Sequence, residues 1–397
     1  MAPALLFVTG VNAFKGYFQG HGDMRPTAMS NIVEAIVNIS AGLGISFLFI
    51  SSGFSVSVAS IGAGAALTLG ELAALLTLYI YYKRAKKPKP GARIRSKNIL
   101  IREILKCAMP ILLGSLLISL CNTADIFVMM RRLTSFGGSN ETANELYGMF
   151  TGIVLVIVNV PSLVTFAIST NIVPTIAMIH ETRSKKRLDT AVPKIFKMDA
   201  MLTVPAFAFM MFMPREMITV LFGAARAAES AYLLRTECIC VVFLSFSVLS
   251  SAVLQSLGKN LVPVISMTAG MTAKLIVSYT IIGKYGIIGA PLGNIAYGLT
   301  VSLINFCFLK RCGVKINLFK AFALPSVFAA AGVIFAKSLS GILKSFADAR
   351  LGMLSALFLG TLMYCAFLYI FTDLRHELKE MFKLKKEKGY GRKETAA

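Results

Sequence analysis

Residues Lys83–Lys106 read KRAKKPKPGARIRSKNILIREILK. Between Lys83 and Lys97 there are eight Lys or Arg and no acid, and Pro88, Pro90 and Gly91 interrupt any helix. On both sides the chain is almost purely apolar. A basic, proline-broken segment between apolar runs marks a cytoplasmic loop of a membrane protein, because Lys and Arg are retained on that side. The competing reading is a basic linker bound to nucleic acid. The flanking runs argue against it, since their length and apolarity suit a bilayer and not water. No nucleic-acid partner is expected.

Composition agrees. Hydrophobic residues make up 56% of the 397 and charged residues 15%, against about 25% charged in an ordinary soluble domain. The runs stay apolar over whole helical lengths and do not alternate, so the class is an all-α polytopic membrane protein and not a barrel. The net charge of +22 sits mainly in a few loops and the tail, where it would meet anionic lipid headgroups. Seven cysteines scatter through apolar segments, and the three histidines lack metal-ligand spacing. Neither a disulfide framework nor a metal site is expected, and no cofactor signature is present.

Moving outward from the loop, Phe54–Tyr82 reads as one span and the run opened by Pro26, ending about Ile50, as another. Met1–Phe14 is apolar but short for a span of roughly 20 residues. On the other side, spans are expected at 107–130, 147–174, 198–222, 231–257, 261–283, 286–309, 320–343 and 351–372, about eleven in all. With Lys83–Lys106 inside, the basic turns Ser184–Lys197, Gly258–Asn260 and Lys310–Lys320 and the tail fall inside too. Arg131–Arg132 is the basic pair left outside. The expected layout is a truncated N-lobe (1–82, three spans), a basic cytoplasmic loop (83–106) and a C-lobe (107–309, six spans). Two further helices (310–372) and a basic cytoplasmic tail (373–397) complete it, the tail lying along the membrane surface.

A repeat supports two lobes. Gln19-x-x-Gly22-x-x-x-Pro26 opens one span, and Gln255-x-x-Gly258-x-x-x-x-Pro263 opens another. Ile61-Gly-Ala-Gly64 follows the first and Ile288-Gly-Ala-Pro-Leu-Gly293 the second, in the same order. Repeats of this kind build transporters with a site between the halves.

Several motifs have a family wording. Gly16-Tyr-Phe-Gln-Gly20, Met24-Arg-Pro-Thr-Ala28 and Glu34 are followed by Asp125, Arg131-Arg-Leu133, Leu146-Tyr-Gly148 and Asn159-Val-Pro161. Further on come Ser169 with Val173-Pro174, Gln255-Ser-Leu-Gly258, Lys274 and Gly286-Ile-Ile-Gly-Ala290. Together, over about residues 1–310, they resemble the stage V sporulation protein B and polysaccharide-transporter branch of the MOP superfamily, which also holds the MurJ flippases and MATE exporters. The resemblance implies two six-helix lobes around a cavity plus a last pair. Three helices of the N-lobe are then missing, and Asn38 stands where the branch usually has Arg. It also implies a membrane flippase, not an enzyme, for a lipid-linked (undecaprenyl-type) oligosaccharide or peptidoglycan precursor. Alternating access would be driven by H+ or Na+, with self-association or a partner chain completing the N-lobe. Two alternatives stand beside it: a cation-coupled multidrug exporter, and a truncated paralogue that no longer transports and docks on cell-wall machinery.

Charged groups inside spans are costly and are either functional or paired. Asp125 shares a helix face with Asn122; it is a cavity acid, or a buried acid partnered by Arg131 or Arg132. Glu34 shares a face with Asn38 and lines the cavity or anchors neighbouring helices. Lys274 meets an anionic headgroup or pairs with an acid such as Glu34 or Asp125. Arg131 and Arg132 bind phosphate near the outer gate, or pair with Glu141 or Glu145. Pro161 and Pro174 interrupt an uncharged run and are candidate hinges.

Overall fold

Apolar runs of this length in a bilayer must satisfy their backbone groups internally, and here they do so as helices. The computed structural model describes all residues except 1, 21–22, 24, 85–96, 138, 183, 315–316, 344–348 and 372–397. The proline-broken part of the basic loop and the expected surface tail therefore lie outside the described residues. The chain forms two compact units, Met1–Lys97 and Asn98–Ala397.

The first unit holds α1 (Ala2–Gly20), α2 (Arg25–Ser51) and α3 (Val56–Arg84). α1 outlasts the short apolar run Met1–Phe14, because the helix continues through Lys15 to Gly20. Phe14, Tyr17 and Phe18 carry an apolar face across the charge and pack around Val11, Ala74 and Leu78. Phe14 and Tyr17 each bring their rings to 5.3 Å from that of Tyr82. On α2, Ile36, Ile39, Leu43 and Phe47 are 61–71% exposed at helical spacing, as suits contact with lipid.

The second unit holds α4 (Lys97–Gly137), α5 (Asn140–Met149), one π turn (Phe150–Val154) and α6 (Leu155–Glu181). α7 (Lys185–Phe212), α8 (Pro214–Phe222), α9 (Ala224–Ser256) and α10 (Leu261–Tyr285) follow. A 3-10 turn (Gly286–Ile288) leads into α11 (Gly289–Arg311), then α12 (Leu318–Leu343) and α13 (Ala349–Phe371). α9 is the axis: α6, α7, α8 and α11 all pack on it. α12 and α13 pair and lean on α7 and α8, and the Tyr364 hydroxyl donates to the Met201 carbonyl at 2.6 Å. Eight stretches of the described residues are long and apolar enough to cross a membrane, one of them, Leu261–Arg311, holding α10 and α11 together.

Three expectations are corrected. α4 starts at Lys97 and not at 107. α7 starts at Lys185, so the basic turn Ser184–Lys197 is helix. Its Lys and Arg are good helix formers, and Val192, Ile195 and Phe196 bury one face of it. The span expected at 198–222 is instead two helices. Met213 leaves the helical region at φ −130°, ψ 43°, and Pro214 opens α8 at its first position, where the missing N–H costs nothing.

The two trios that carry the repeated motif are built alike. α1 and α2 both pack chiefly on α3 and touch each other little; within the second trio α9 and α10 stand in the same relation to α11.

Among the glycines of these trios, the closest approach to a backbone atom is at Gly289, where an added methyl would lie 2.6 Å from the backbone nitrogen of Ile282 on α10. A backbone atom cannot rotate away, so Gly289→Ala should cost about 1–3 kcal/mol. The thermal midpoint of the purified chain in detergent should fall. Gly16→Ala, in open space, should leave it unchanged or raise it. Equal midpoints for the two would refute the packing account.

Candidate functional site

The second unit buries charge where α4, α9 and α10 meet. Lys274 of α10 donates from Nζ to Oδ2 of Asp125 on α4 at 2.7 Å, with the two side chains 16% and 11% exposed. The partner of Asp125 is therefore Lys274, not the neighbouring arginines. The other carboxylate oxygen, Oδ1, is buried and has no hydrogen bond. A second acid, Glu237 of α9, is 1% exposed and close enough to Lys274 to feel its charge. Asn294 of α11 donates to Glu237 Oε1 at 2.9 Å, while Oε2 is buried without a partner. Asp125 is thus paired with Lys274 and Glu237 with Asn294, and each carboxylate keeps a buried oxygen with no hydrogen-bond donor among the described residues.

The same edge of α4 continues to engage α10. The Arg132 guanidinium stacks 3.5 Å from the centroid of the Tyr279 ring, a cation–π contact. Its Nε is buried and donates to nothing. Phe136 lies against Gly286 at the end of α10. Residues 125, 129, 132–133 and 136 recur every three or four positions, so one face of α4 meets its neighbours through side chains. Met129 and Leu133 fill the apolar part of that face. Arg131 and Asn122 are exposed. Neither arginine ion-pairs with Glu141 or Glu145 among the described residues.

A third buried acid belongs to another junction. Thr165 of α6 donates to Asp199 Oδ1 on α7 at 2.5 Å and stands 3.2 Å from Ser245 Oγ on α9. Sequence reasoning passed over Asp199, which falls at the edge of the span expected from 198, and Glu237, which lies six residues inside the span expected from 231. The earlier starts of α7 and α9 put both in mid-helix. For Glu237, an acid inside an apolar run was the available signal.

In the first unit Glu34 Oε2 lies 3.8 Å from Lys15 Nζ, so its partner there is Lys15. Asn38 packs onto Gly70 with its Oδ1 buried and unbonded. α6 runs without a break through Pro161 and Pro174. The irregularity is the π turn just upstream, a feature that gathers at working sites in helices.

These features define a class first: a polytopic α-helical membrane protein with interior charge, whose fold is like that of solved MOP-superfamily transporters. An inward closed structure of the lipid II flippase MurJ matches 93% of this chain and 72% of its own length, at a TM-score of 0.59 and 17% identity. The sequence is similar to proteins of the same kind. The model of the polysaccharide biosynthesis protein family matches residues 1–180. Lipid II flippase MurJ of Bacillus subtilis is 27% identical over 321 residues, 78% of this chain and 58% of the relative. Stage V sporulation protein B of the same organism is 26% identical over 238 residues, 57% of this chain and 44% of that protein. The chain therefore spans little more than half the length of the curated relatives it matches.

A buried pair broken on one side leaves an uncompensated charge, at a cost of about 3–5 kcal/mol. Asp125→Asn should lower the unfolding midpoint in detergent sharply. The double change Asp125→Leu with Lys274→Met should recover most of the loss. A double variant no better than the single one would show that the pair is not the unit.

Proposed function

We propose that this chain serves a flippase-type transporter of a lipid-linked oligosaccharide or peptidoglycan precursor. The observation that carries this is Lys274, a buried cation balanced by an acid that can be exchanged. A diphosphate is an anion of the kind that competes with Asp125 for Lys274. Exchanging one partner for another avoids the cost of an unpaired buried charge. Arg132, with its unbonded Nε held against Tyr279, is the second phosphate ligand, guanidinium matching phosphate geometry. Asp125, released, is left to take a proton or a monovalent cation, and Glu237 offers a second place for it. Occupancy of the pair then governs how tightly α4 is tied to α10, the two-state element that alternating access requires. The π turn at Phe150–Val154 and Pro161 after it supply flexible points in the neighbouring helix.

The same reading puts Lys83–Lys106 and the C-terminus on the cytoplasmic side of the plasma membrane, with anionic lipids at the basic loops. Asn38, in place of a cation, and the Lys15–Glu34 pair leave the spans of the first unit, away from its basic loop, with little free positive charge for a phosphate. A partner chain or second copy would supply that charge.

The test is rescue of a flippase-deficient strain, followed by flipping of a fluorescent lipid-linked precursor in vesicles. Lys274→Ala should abolish rescue and slow flipping at least tenfold per molecule inserted, its lower membrane level from the broken pair being corrected for. The stable Asp125→Leu/Lys274→Met chain should be equally inactive. Full rescue by either would overturn the assignment, and altered sensitivity to cationic drugs with no flipping would move it to the exporter.

A further inference from the structure

The break between α7 and α8 forms a second polar feature that lies apart from the Asp125–Lys274 site. Around it is a concave pocket of about 280 Å³. Its walls carry Arg215 from α8, Arg235 from α9 and Lys337 from α12, with Glu216 as the acid among them. Three cations from three helices against one acid leave an excess of positive charge. The backbone adds to it. Met213 gives α8 no side-chain cap, and the helix brings its positive end to this junction. Arg235 is held in place, because its Nε donates to the carbonyl of Met211 at the end of α7 at 3.0 Å. Phe212 and Tyr232, also in the wall, are 53% and 45% exposed, so the pocket opens beside an apolar, aromatic rim.

We infer that this pocket binds the phosphate of an anionic membrane lipid, with the acyl chains running along the exposed faces of Phe212 and Tyr232. Cations set beside exposed aromatics are the composition of a membrane interface. The volume is below the roughly 300–1,000 Å³ of pockets that enclose drug-sized ligands, so it suits one headgroup and not a lipid-linked glycan. The lipid bridges α7, α8, α9 and α12, and so fastens the α12–α13 pair to the rest of the second unit. The site is independent of the transport assignment and stands or falls without it.

The experiment uses the full chain in nanodiscs of phosphatidylcholine with a minor fraction of phosphatidylglycerol. Retained lipid is read by native mass spectrometry. Phosphatidylglycerol should be held in clear excess over its share of the disc. Each cation removed should cost about fivefold in retention, so Arg215→Gln with Lys337→Gln should lose about 30-fold, while Lys337→Arg retains it. Melting in phosphatidylcholine-only discs checks that the double variant is folded; if it is not, Lys337→Gln alone carries the comparison. Retention equal in wild type and variant would overturn the inference. So would inorganic phosphate binding without any preference for phosphatidylglycerol, which would make the occupant a free anion.

Discussion

Inside hydrocarbon a peptide group has no water to bond, and a polar side chain has none either. The backbone answers with helices. The side chains answer by bonding across helix boundaries, and in the second unit those bonds converge on α9. Asn305 of α11 donates to Ser250 and Ser251 at 3.0 Å each, and Ser302 meets Ser247 at 3.0 Å. Thr165, bonded to Asp199, reaches Ser245 from the other side, and Asn294 reaches Glu237. Small hydroxyls let helices approach closely and still satisfy their polar atoms. α9 therefore meets its neighbours in two ways, through hydroxyls bonded across the boundary and through apolar side chains such as Phe246, Leu249 and Val253 packed beside them.

α4 is attached differently. It meets α10 through Asp125, Arg132 and Phe136, the tips of long side chains, whereas α10 and α11 pack almost backbone to backbone at Gly289. Packed interfaces hold one arrangement; an ion pair can be exchanged for another without losing the helix. Under the proposed function, a sliding or parting element belongs at the second kind of seam, where the Asp125–Lys274 pair ties α4 to α10.

The helices were legible because apolar length is a strong signal, and the basic loops set their order. Helix ends were not. Lys15 and Lys185–Arg187 looked like boundaries, yet Lys and Arg propagate a helix well, and hydropathy marks where the bilayer stops and not where the helix does. A mistaken end then hid Asp199. Asp125, Lys274 and the arginines could be picked out singly because each is isolated among apolar residues. Their pairing could not, since Asp125 and Lys274 are far apart in sequence and nothing local favours Lys274 over Arg131. Arg132 reads as half of a basic doublet, and only the structure separates it from the exposed Arg131 by turning it onto Tyr279.

The pairing across that distance has a consequence in time. Lys274 is made roughly 150 residues after Asp125. At about 5–20 residues per second, α4 waits on the order of 10–30 s before its counter-charge exists. During that interval Asp125 must be carried into or beside the membrane with no ammonium to meet it. The newborn helix therefore has to hold that carboxylate where water or another donor still reaches it. Its final seat in the bundle is a late event of synthesis, decided when α10 arrives.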